Sequence, residues 1–335
     1  VNFDMKLKGL FLLNTGAYDQ IYGEPERAAI AELVDIVAPP QTAESVRENP
    51  AVLADVDVIF SGWGMARLDE AFLAVAPKLK AVFYGAGSIK GFATDAAWER
   101  GIIITSAYAA NAVPVTEYTL AAITFGLKQA WYYIIGAKQA GTYPPGKPVP
   151  GGYGSTVGLI SLGMIGRMVA ERLKAYDLHV IAYDPYVTAE AGAALGVEMV
   201  TLDEIFRRAD IASLHTPLLP ETVGMITGAH LAAMKPGATF VNTARGAVVR
   251  EQEMIAVLQQ RPDLYAVLDV TYPEPPEPGS PLYSLPNVIL TPHIAGSLDA
   301  ECRRMGQYMV EELQRYIAGK PLQWAITRER ARIMA

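Results

Sequence analysis

The stretch TVGLISLGMIGRMVAERLKAYDLHVIAYDP, Thr156 to Pro185, constrains the fold more than any other part of the chain. An apolar run, a glycine-bearing turn, an amphipathic run and a second apolar run follow one another, which reads as strand, turn, helix and strand. In a dinucleotide-binding unit the turn has the form Gly-x-Gly-x-x-Gly. The first glycine gives conformational freedom, the second lets the backbone approach a pyrophosphate, and the third lets helix and strand pack closely. Here the six positions are Ser161, Leu162, Gly163, Met164, Ile165 and Gly166, so a serine stands first. Gly163 and Gly166 keep the second and third roles. Ser161 is expected to hold its place with an ordinary backbone conformation, its hydroxyl available to a phosphate. Asp184 ends the second strand about 20 residues on, where a carboxylate accepts hydrogen bonds from ribose hydroxyls. By itself the Gly-x-x-Gly is a tight turn and Asp184 a turn-former ahead of Pro185. In this order they point to nucleotide binding.

The same alternation runs along the whole chain, which makes the class α/β. Strands are expected at GLFLLN, DVIFSG, KAVFYG and GIIITS, with helices at EPERAAIAELV and DEAFLAVAP. A long helix-prone segment follows, PVTEYTLAAITFGLKQAWYYIIGAKQAG, with Pro114 suited to its first turn. TYPPGKPVPGGYGS then breaks the pattern. Further strands are expected at TVGLIS, HVIAYD, IASLHT, ATFVNTA, YAVLDV and NVILTPH, and an amphipathic helix from about Asp299 to Ile317 returns to the first unit. A chain of 335 residues, 51% of them hydrophobic, is long enough for two cores.

Ligands of open α/β sheets bind at the carboxyl ends of the strands. Those ends carry Ser161 and Gly163, Asp184, His215 to Pro217, Thr243 to Gly246, Asp269 and His293. Of the four histidines, His293 in TPHIAGS lies on the edge that NTARGAVV and LDVTYPEP also reach. One imidazole, one guanidinium (Arg245) and one carboxylate (Glu274) therefore come within reach of the nicotinamide end of a bound dinucleotide. Residues of these types also form ordinary surface ion pairs.

The segments GSTVGLISLGMIG, YDP, IASLHTPLLPETVGMI, MKPGATFVNTARGAVV, LDVTYPEP and TPHIAG, in this order, resemble the D-isomer specific 2-hydroxyacid dehydrogenases. That family includes phosphoglycerate dehydrogenases and glyoxylate and hydroxypyruvate reductases. The resemblance implies two doubly wound parallel-sheet domains. Residues 108–298 would be a Rossmann NAD-binding domain, and 1–107 plus 299–335 a smaller flavodoxin-like substrate domain, with the active site in the cleft. It implies NAD as cofactor and Arg245, Glu274 and His293 as the catalytic set. The cofactor site would be lined by Thr116, Ser161, Gly163, Met164, Ile165, Gly166, Asp184, His215, Pro217, Thr222, Thr243, Ala244 and Asp269. The substrate carboxylate would fall to Arg245 and to the loop of Gly85, Ala86 and Gly87, with Lys90 close behind. It also implies a homodimer formed through the segment from Pro114 to Ala140.

The chemistry suits these residue types. A hydride arriving at a ketone carbon leaves charge on the oxygen, which a protonated imidazole relieves. A carboxylate on the other ring nitrogen orients the ring and favours its charged form. A guanidinium clamps a substrate carboxylate with two parallel bonds.

Two departures from the family pattern stand out. In YGAGSIKGF an isoleucine, Ile89, occupies the place of an expected aspartate, and Lys90 follows it. Thr116 replaces a usual alanine. Lys90 facing a substrate would favour a second anionic group. A different class of function on the same fold, an NAD(H)-sensing corepressor-like scaffold, is the second reading, and a formate- or phosphite-type dehydrogenase a third.

Composition narrows the partners. A formal net charge of -7 with no dense Lys/Arg run argues against nucleic acid or an anionic membrane. The single cysteine, Cys302, allows no internal disulfide. No apolar run reaches the roughly 18 residues of a membrane span. The N-terminal LKGLFLLN is too short for a secretory signal. A soluble, cytoplasmic protein that binds a small-molecule acid and no metal is expected.

Overall fold

The structure, a computed structural model, describes residues 6–334 and divides into two compact units. One runs up to Ala112 and resumes at Ser297; the other is Val113–Gly296. The divisions fall a few residues from the expected 107/108 and 298/299.

The first unit is built on six strands: β1 Leu7–Leu12, β2 Val34–Ile36, β3 Val58–Ser61, β4 Ala81–Tyr84, β5 Ile103–Ser106 and, late in the chain, β13 Ala325–Ile326. Their order is β13-β5-β4-β3-β1-β2, with every pairing parallel except β13 on β5. Strands β3 and β4 are buried throughout, so both faces of the sheet are covered and the runs read as continuously apolar. The helix Cys302–Ile317 buries Cys302, Met305, Met309 and Leu313, one stripe at helical spacing, in the core that also holds Ile21, Tyr22 and Phe83. At Gly306 the helix lies so close that an added Cβ would sit 1.9 Å from the Ile21 carbonyl oxygen. This is the expected return of the C-terminal helix. Its buried Glu312 accepts from the backbone N–H groups of Gln323 and Trp324, 3.0 Å each, and so fixes the approach to β13.

The second unit is a seven-stranded sheet, all parallel, of β6 Thr156–Ile160, β7 His179–Tyr183, β8 Glu198–Met199, β9 Ile211–Leu214, β10 Thr239–Asn242, β11 Tyr265–Leu268 and β12 Val288–Leu290. The order β12-β11-β10-β9-β6-β7-β8 reverses direction between β6 and β9. That switch point is where a doubly wound sheet opens a crevice for a ligand. Phe206 and Phe240, both fully buried, pack at 6.2 Å between ring centres on one face. Complete burial of such a side chain is worth about 1.5–3 kcal/mol.

Three short strands, β2, β8 and β13, lie outside the sequence expectation. Pro114 does not open its helix: the helix begins at Tyr108 and runs to Leu127 with Pro114 inside it. The alanines ahead of Pro114 carry the first turns, since Ala110 and Ala112 are buried and alanine is the strongest helix former. The helix also does not continue to Ala140 unbroken. Gln129 takes a left-handed conformation (φ 48°), its side chain donates to the Gly237 carbonyl at 2.6 Å, and a second helix, Ala130–Ala140, starts afresh.

Candidate active site

At the switch point the turn after β6 departs from expectation. Ser161 has φ 78°, the left-handed region that glycine occupies without penalty, and not an ordinary conformation. Nor is its hydroxyl open: it lies 2.8 Å from the Thr216 hydroxyl, on the loop after β9, and the residue is buried. Tertiary contacts thus hold a serine where the turn geometry asks for glycine. Gly166 cannot be anything else, because an added Cβ would stand 2.2 Å from the Ser161 carbonyl oxygen. A Cβ on Gly163 would meet nothing within 4 Å, which leaves open space over the turn.

Gly163 caps the helix Met164–Leu173, whose first turn has neither a side-chain cap nor an acidic residue. Free N–H groups at the positive end of a helix, beside a backbone with no side chain in the way, suit a pyrophosphate. Met164 is exposed and Ile165 half-buried at this end. Asp184, just beyond β7, accepts from the Leu162 N–H at 2.8 Å and the Tyr186 N–H at 2.9 Å, one on each oxygen. Each carboxylate oxygen keeps a lone pair for a ribose hydroxyl. These residues fit a dinucleotide.

Beyond β9, His215 is buried with Nε2 3.0 Å from the Ser213 hydroxyl, and burial pulls its pKa down to about 4. It is a neutral ring just past the carboxyl end of β9. Pro217 and Thr222 belong to one turn: the Thr222 hydroxyl lies 2.7 Å from the Pro217 carbonyl and accepts from the Leu219 N–H at 2.8 Å. Beyond β10, Thr243 meets the Thr119 hydroxyl at 3.1 Å, and the Ala244 N–H donates to Asn242 Oδ1. Thr116 is fully buried in the helix Tyr108–Leu127.

Arg245 follows at once. Its neighbour Gly246 lies against the segment after β11, where a Cβ would fall 2.0 Å from Thr271 backbone. The guanidinium donates to the Ala244 carbonyl at 2.7 Å, and among the described residues no carboxylate forms an ion pair with it. Burial draws its pKa down, while the charge of Glu274 acts in the opposite sense. His293 Nδ1 lies 2.6 Å from Glu274 Oε1, and both side chains are about half exposed. The proton on that bond belongs to the ring nitrogen, so Nε2 is left for a substrate. Both residues border a cavity of about 680 Å³ whose other walls include Pro275, Leu282, Tyr283 and Leu290.

Asp269 does something the sequence did not disclose. Its carboxylate is buried and bound to the loop after β12, accepting from the Thr291 hydroxyl (2.7 Å), the Ile294 N–H (2.8 Å) and the Ala295 N–H (2.9 Å). Its own carbonyl accepts from the His293 N–H at 2.9 Å. Asp269 lines the same cavity, but its bonds are spent on the segment that carries His293.

In the first unit, the Gly85 N–H is spent on the Ser61 carbonyl at 2.7 Å and cannot serve a substrate. The Ser106 hydroxyl lies 2.9 Å and 2.6 Å from the Ala86 and Gly87 carbonyls, which turns those oxygens inward. Ile89, where an aspartate was expected, is a core residue at 3% exposure. Lys90 is exposed and lines a shallow pocket with Asp95, Trp98, Arg328 and Arg332.

Sheet order, turn and strand-end residues make the second unit a dinucleotide-binding domain. Residues 129–295, inside that unit, match the family model described as "D-isomer specific 2-hydroxyacid dehydrogenase, NAD binding domain". The chain is 35% identical over 253 residues to a D-3-phosphoglycerate dehydrogenase of Mycobacterium tuberculosis, covering 76% of this chain and 48% of that one. To an (S)-sulfolactate dehydrogenase of Chromohalobacter salexigens it is 36% identical over 253 residues, covering 74% and 81%. The solved structure of a glyoxylate reductase from Paecilomyes thermophila matches with a TM-score of 0.77 at 26% identity, covering 97% of this chain and all of the other. The chain spans about half the length of the curated phosphoglycerate dehydrogenases that it matches. It belongs to the D-isomer specific 2-hydroxyacid dehydrogenase family, and its cofactor is NAD.

Proposed function

We propose that the chain is an NAD-dependent dehydrogenase that interconverts a small 2-keto acid and its D-2-hydroxy acid. The observation that carries this reading is the 2.6 Å bond between His293 Nδ1 and Glu274 Oε1, beside an Arg245 that pairs with no carboxylate of the described chain. When bound, a reduced nicotinamide supplies the hydride. Charged His293 gives its Nε2 proton to the carbonyl oxygen as charge builds there, and Glu274 holds the ring in place and balances its charge. Arg245 takes the substrate carboxylate in its fork and fixes which face of the ketone is presented. In the oxidation direction the neutral ring is the base.

Asp184 would accept from both ribose hydroxyls and would repel a 2′-phosphate. The helix turn at Gly163, Met164, Ile165 and Gly166 would take the pyrophosphate, with His215, Pro217, Thr243 and Ala244 lining the cofactor's path. In the first unit, the N–H groups after Gly85, at Ala86 and Gly87, are assigned to the substrate carboxylate; Lys90, if it faces the substrate, would favour one with a second anionic group. The protein is read as cytoplasmic and homodimeric. A proton donor at the reacting oxygen favours keto-acid reduction over formate or phosphite oxidation, neither of which needs one, and over a scaffold that only senses the cofactor.

The test is NADH oxidation with a panel of keto acids: glyoxylate, pyruvate, hydroxypyruvate, oxaloacetate, 2-oxoglutarate and phosphohydroxypyruvate. Turnover with any of them supports the reading, and the ratio of dianionic to monoanionic substrates, in the parent and in Lys90→Ala, decides the role of Lys90. Tight NADH binding with no turnover on the whole panel overturns the enzyme in favour of the scaffold.

A further inference from the structure

His293 stands in a backbone conformation that a non-glycine residue adopts only when its surroundings impose it, with φ 55°. The imposing groups can be traced. The Asp269 carbonyl and the Thr291 carbonyl both accept from the His293 N–H, at 2.9 and 3.0 Å, and the Asp269 carboxylate takes the next two N–H groups. Asp269 Oδ1 also accepts from the Thr291 hydroxyl. A threonine hydroxyl has one proton, and here it goes to the carboxylate. The 2.8 Å contact between Thr291 Oγ1 and the Tyr118 hydroxyl therefore has one polarity: tyrosine donates and threonine accepts. Tyr118 lies on the helix Tyr108–Leu127, within the second unit, and burial pushes its phenol pKa up, so the donor keeps its proton.

We propose that Tyr118 and Thr291 are positioning residues for His293: a directed chain of hydroxyls from the helix fixes the Asp269 carboxylate, and Asp269 fixes the strained loop that aims the imidazole. Neither hydroxyl reaches His293 or Glu274. Each acts on the carboxylate that ties down residues 294 and 295, next to the His293 N–H that the Asp269 carbonyl holds. Without the Tyr118 proton, Thr291 is free to rotate its hydroxyl elsewhere, and the buried carboxylate loses a fixed donor. The loop then relaxes toward an ordinary backbone conformation, and the ring turns away from its place beside Glu274. Cooperative chains of this kind behave as a unit, so removing either hydroxyl should cost about as much as removing both.

This inference rests on the reading of His293 as proton donor, and its test is arranged to separate the two. Tyr118→Phe keeps the ring and its packing; Thr291→Val and Thr291→Ser remove and retain the second hydroxyl. In the first two variants kcat for keto-acid reduction should fall about tenfold while the NADH Kd stays within about twofold, and the double variant should be no slower than about twofold below either single. Thr291→Ser should restore turnover. The second readout needs no substrate: the imidazole cross-peaks of His293, identified by their absence in His293→Gln, should move in Tyr118→Phe and Thr291→Val but not in Thr291→Ser. Unmoved cross-peaks, fully additive losses, or a fall in NADH affinity that accounts for the lost turnover would each overturn the positioning role. Cross-peaks that move in these variants, with a parent that shows no turnover, would uphold it and overturn the dehydrogenase reading. Should Thr291→Val fail to fold, Tyr118→Phe alone decides, since it changes no packing volume.

Discussion

The Ser161 hydroxyl lies 2.8 Å from the Thr216 hydroxyl, joining the loops that follow β6 and β9 across the switch point of the sheet. That bond explains how a serine survives at φ 78°. A left-handed conformation costs a non-glycine residue about 1–3 kcal/mol, and a buried hydrogen bond returns about 0.5–1.5 kcal/mol. Ser161→Gly removes both terms, so the loss of the bond should be offset by the released strain, and the NADH Kd should stay within about tenfold. Ser161→Ala loses the same bond but keeps the strain, and should be less stable than Ser161→Gly by about 1–3 kcal/mol. Denaturant titration of the two variants separates strain from bonding. Abolished NADH binding in Ser161→Gly would instead make the hydroxyl a ligand.

The two glycines that follow should fail differently. Gly166→Ala drives a methyl into the Ser161 carbonyl oxygen, so melting temperature should fall by several degrees, whether or not cofactor is present. Gly163→Ala adds a methyl to open space, so the apo protein should melt within about a degree of the parent. Its NADH Kd should rise tenfold or more, an affinity loss of about 1.4 kcal/mol, because the methyl occupies the approach to the pyrophosphate. Equal affinity in Gly163→Ala would show that the phosphates lie elsewhere.

What the sequence disclosed was local. The turn from Ser161 to Gly166 and the carboxylate at Asp184 sit within one strand–helix–strand unit, and their spacing alone places them together. Arg245, Glu274 and His293 were legible because each follows an apolar strand, and a parallel sheet brings all such ends to one edge. Backbone conformation was not legible: nothing in ISLGMIG tells that Ser161 has a positive φ, since the contact that holds it comes from Thr216. Nor was the bond from Tyr118 to Thr291, whose partners stand 173 positions apart. Both residues lie in segments already singled out, PVTEYTL and TPHIAG, but only the folded chain shows them meeting. β13 escaped because its two residues carry no pattern; it pairs with β5 because Glu312 anchors the backbone just before it.

Buried His215 gives stability a dependence on pH of definite sign. Its folded pKa is lowered to about 4 against an ordinary 6.5, so the unfolded chain binds the proton first. The contribution is therefore fully present above pH 6.5 and is lost as pH falls toward 4. At pH 5 the loss amounts to about 2 kcal/mol. His215→Asn cannot be protonated, and its unfolding free energy should fall less than the parent's between pH 7 and pH 5, by roughly that amount. Parallel pH curves for the two proteins would refute the assignment.

The proposed catalytic residues should separate by role. Arg245→Lys keeps the charge but loses the fork, and should raise the keto-acid KM by about tenfold or more with a smaller effect on kcat. His293→Gln should lower kcat by a hundredfold or more, the usual worth of a positioned proton donor, with NADH affinity unchanged. Reduction needs the charged ring and oxidation the neutral one, so the reduction optimum should lie at lower pH. Identical profiles in the two directions would remove His293 from the proton's path.

The helix Ala130–Ala140 carries Trp131, Tyr132, Tyr133, Ile134 and Ile135, yet none of its residues is buried. Trp131 rests on Phe125 at 5.0 Å between ring centres, and Phe125 is itself 41% exposed, as is Ile134. The Trp131 indole nitrogen is shielded from solvent with no acceptor among the described residues, which is a cost that folding normally avoids. An apolar face on one helix suits an interface, and a second copy of the same helix is the partner proposed here. Light scattering should therefore give about twice the 36.1 kDa of one chain. Ile134→Arg should produce monomers, because two copies of the charge would face each other across a symmetric interface. A parent that is monomeric at micromolar concentration would leave these aromatics packed only on their own chain, and the unpartnered indole nitrogen would then need water as its acceptor.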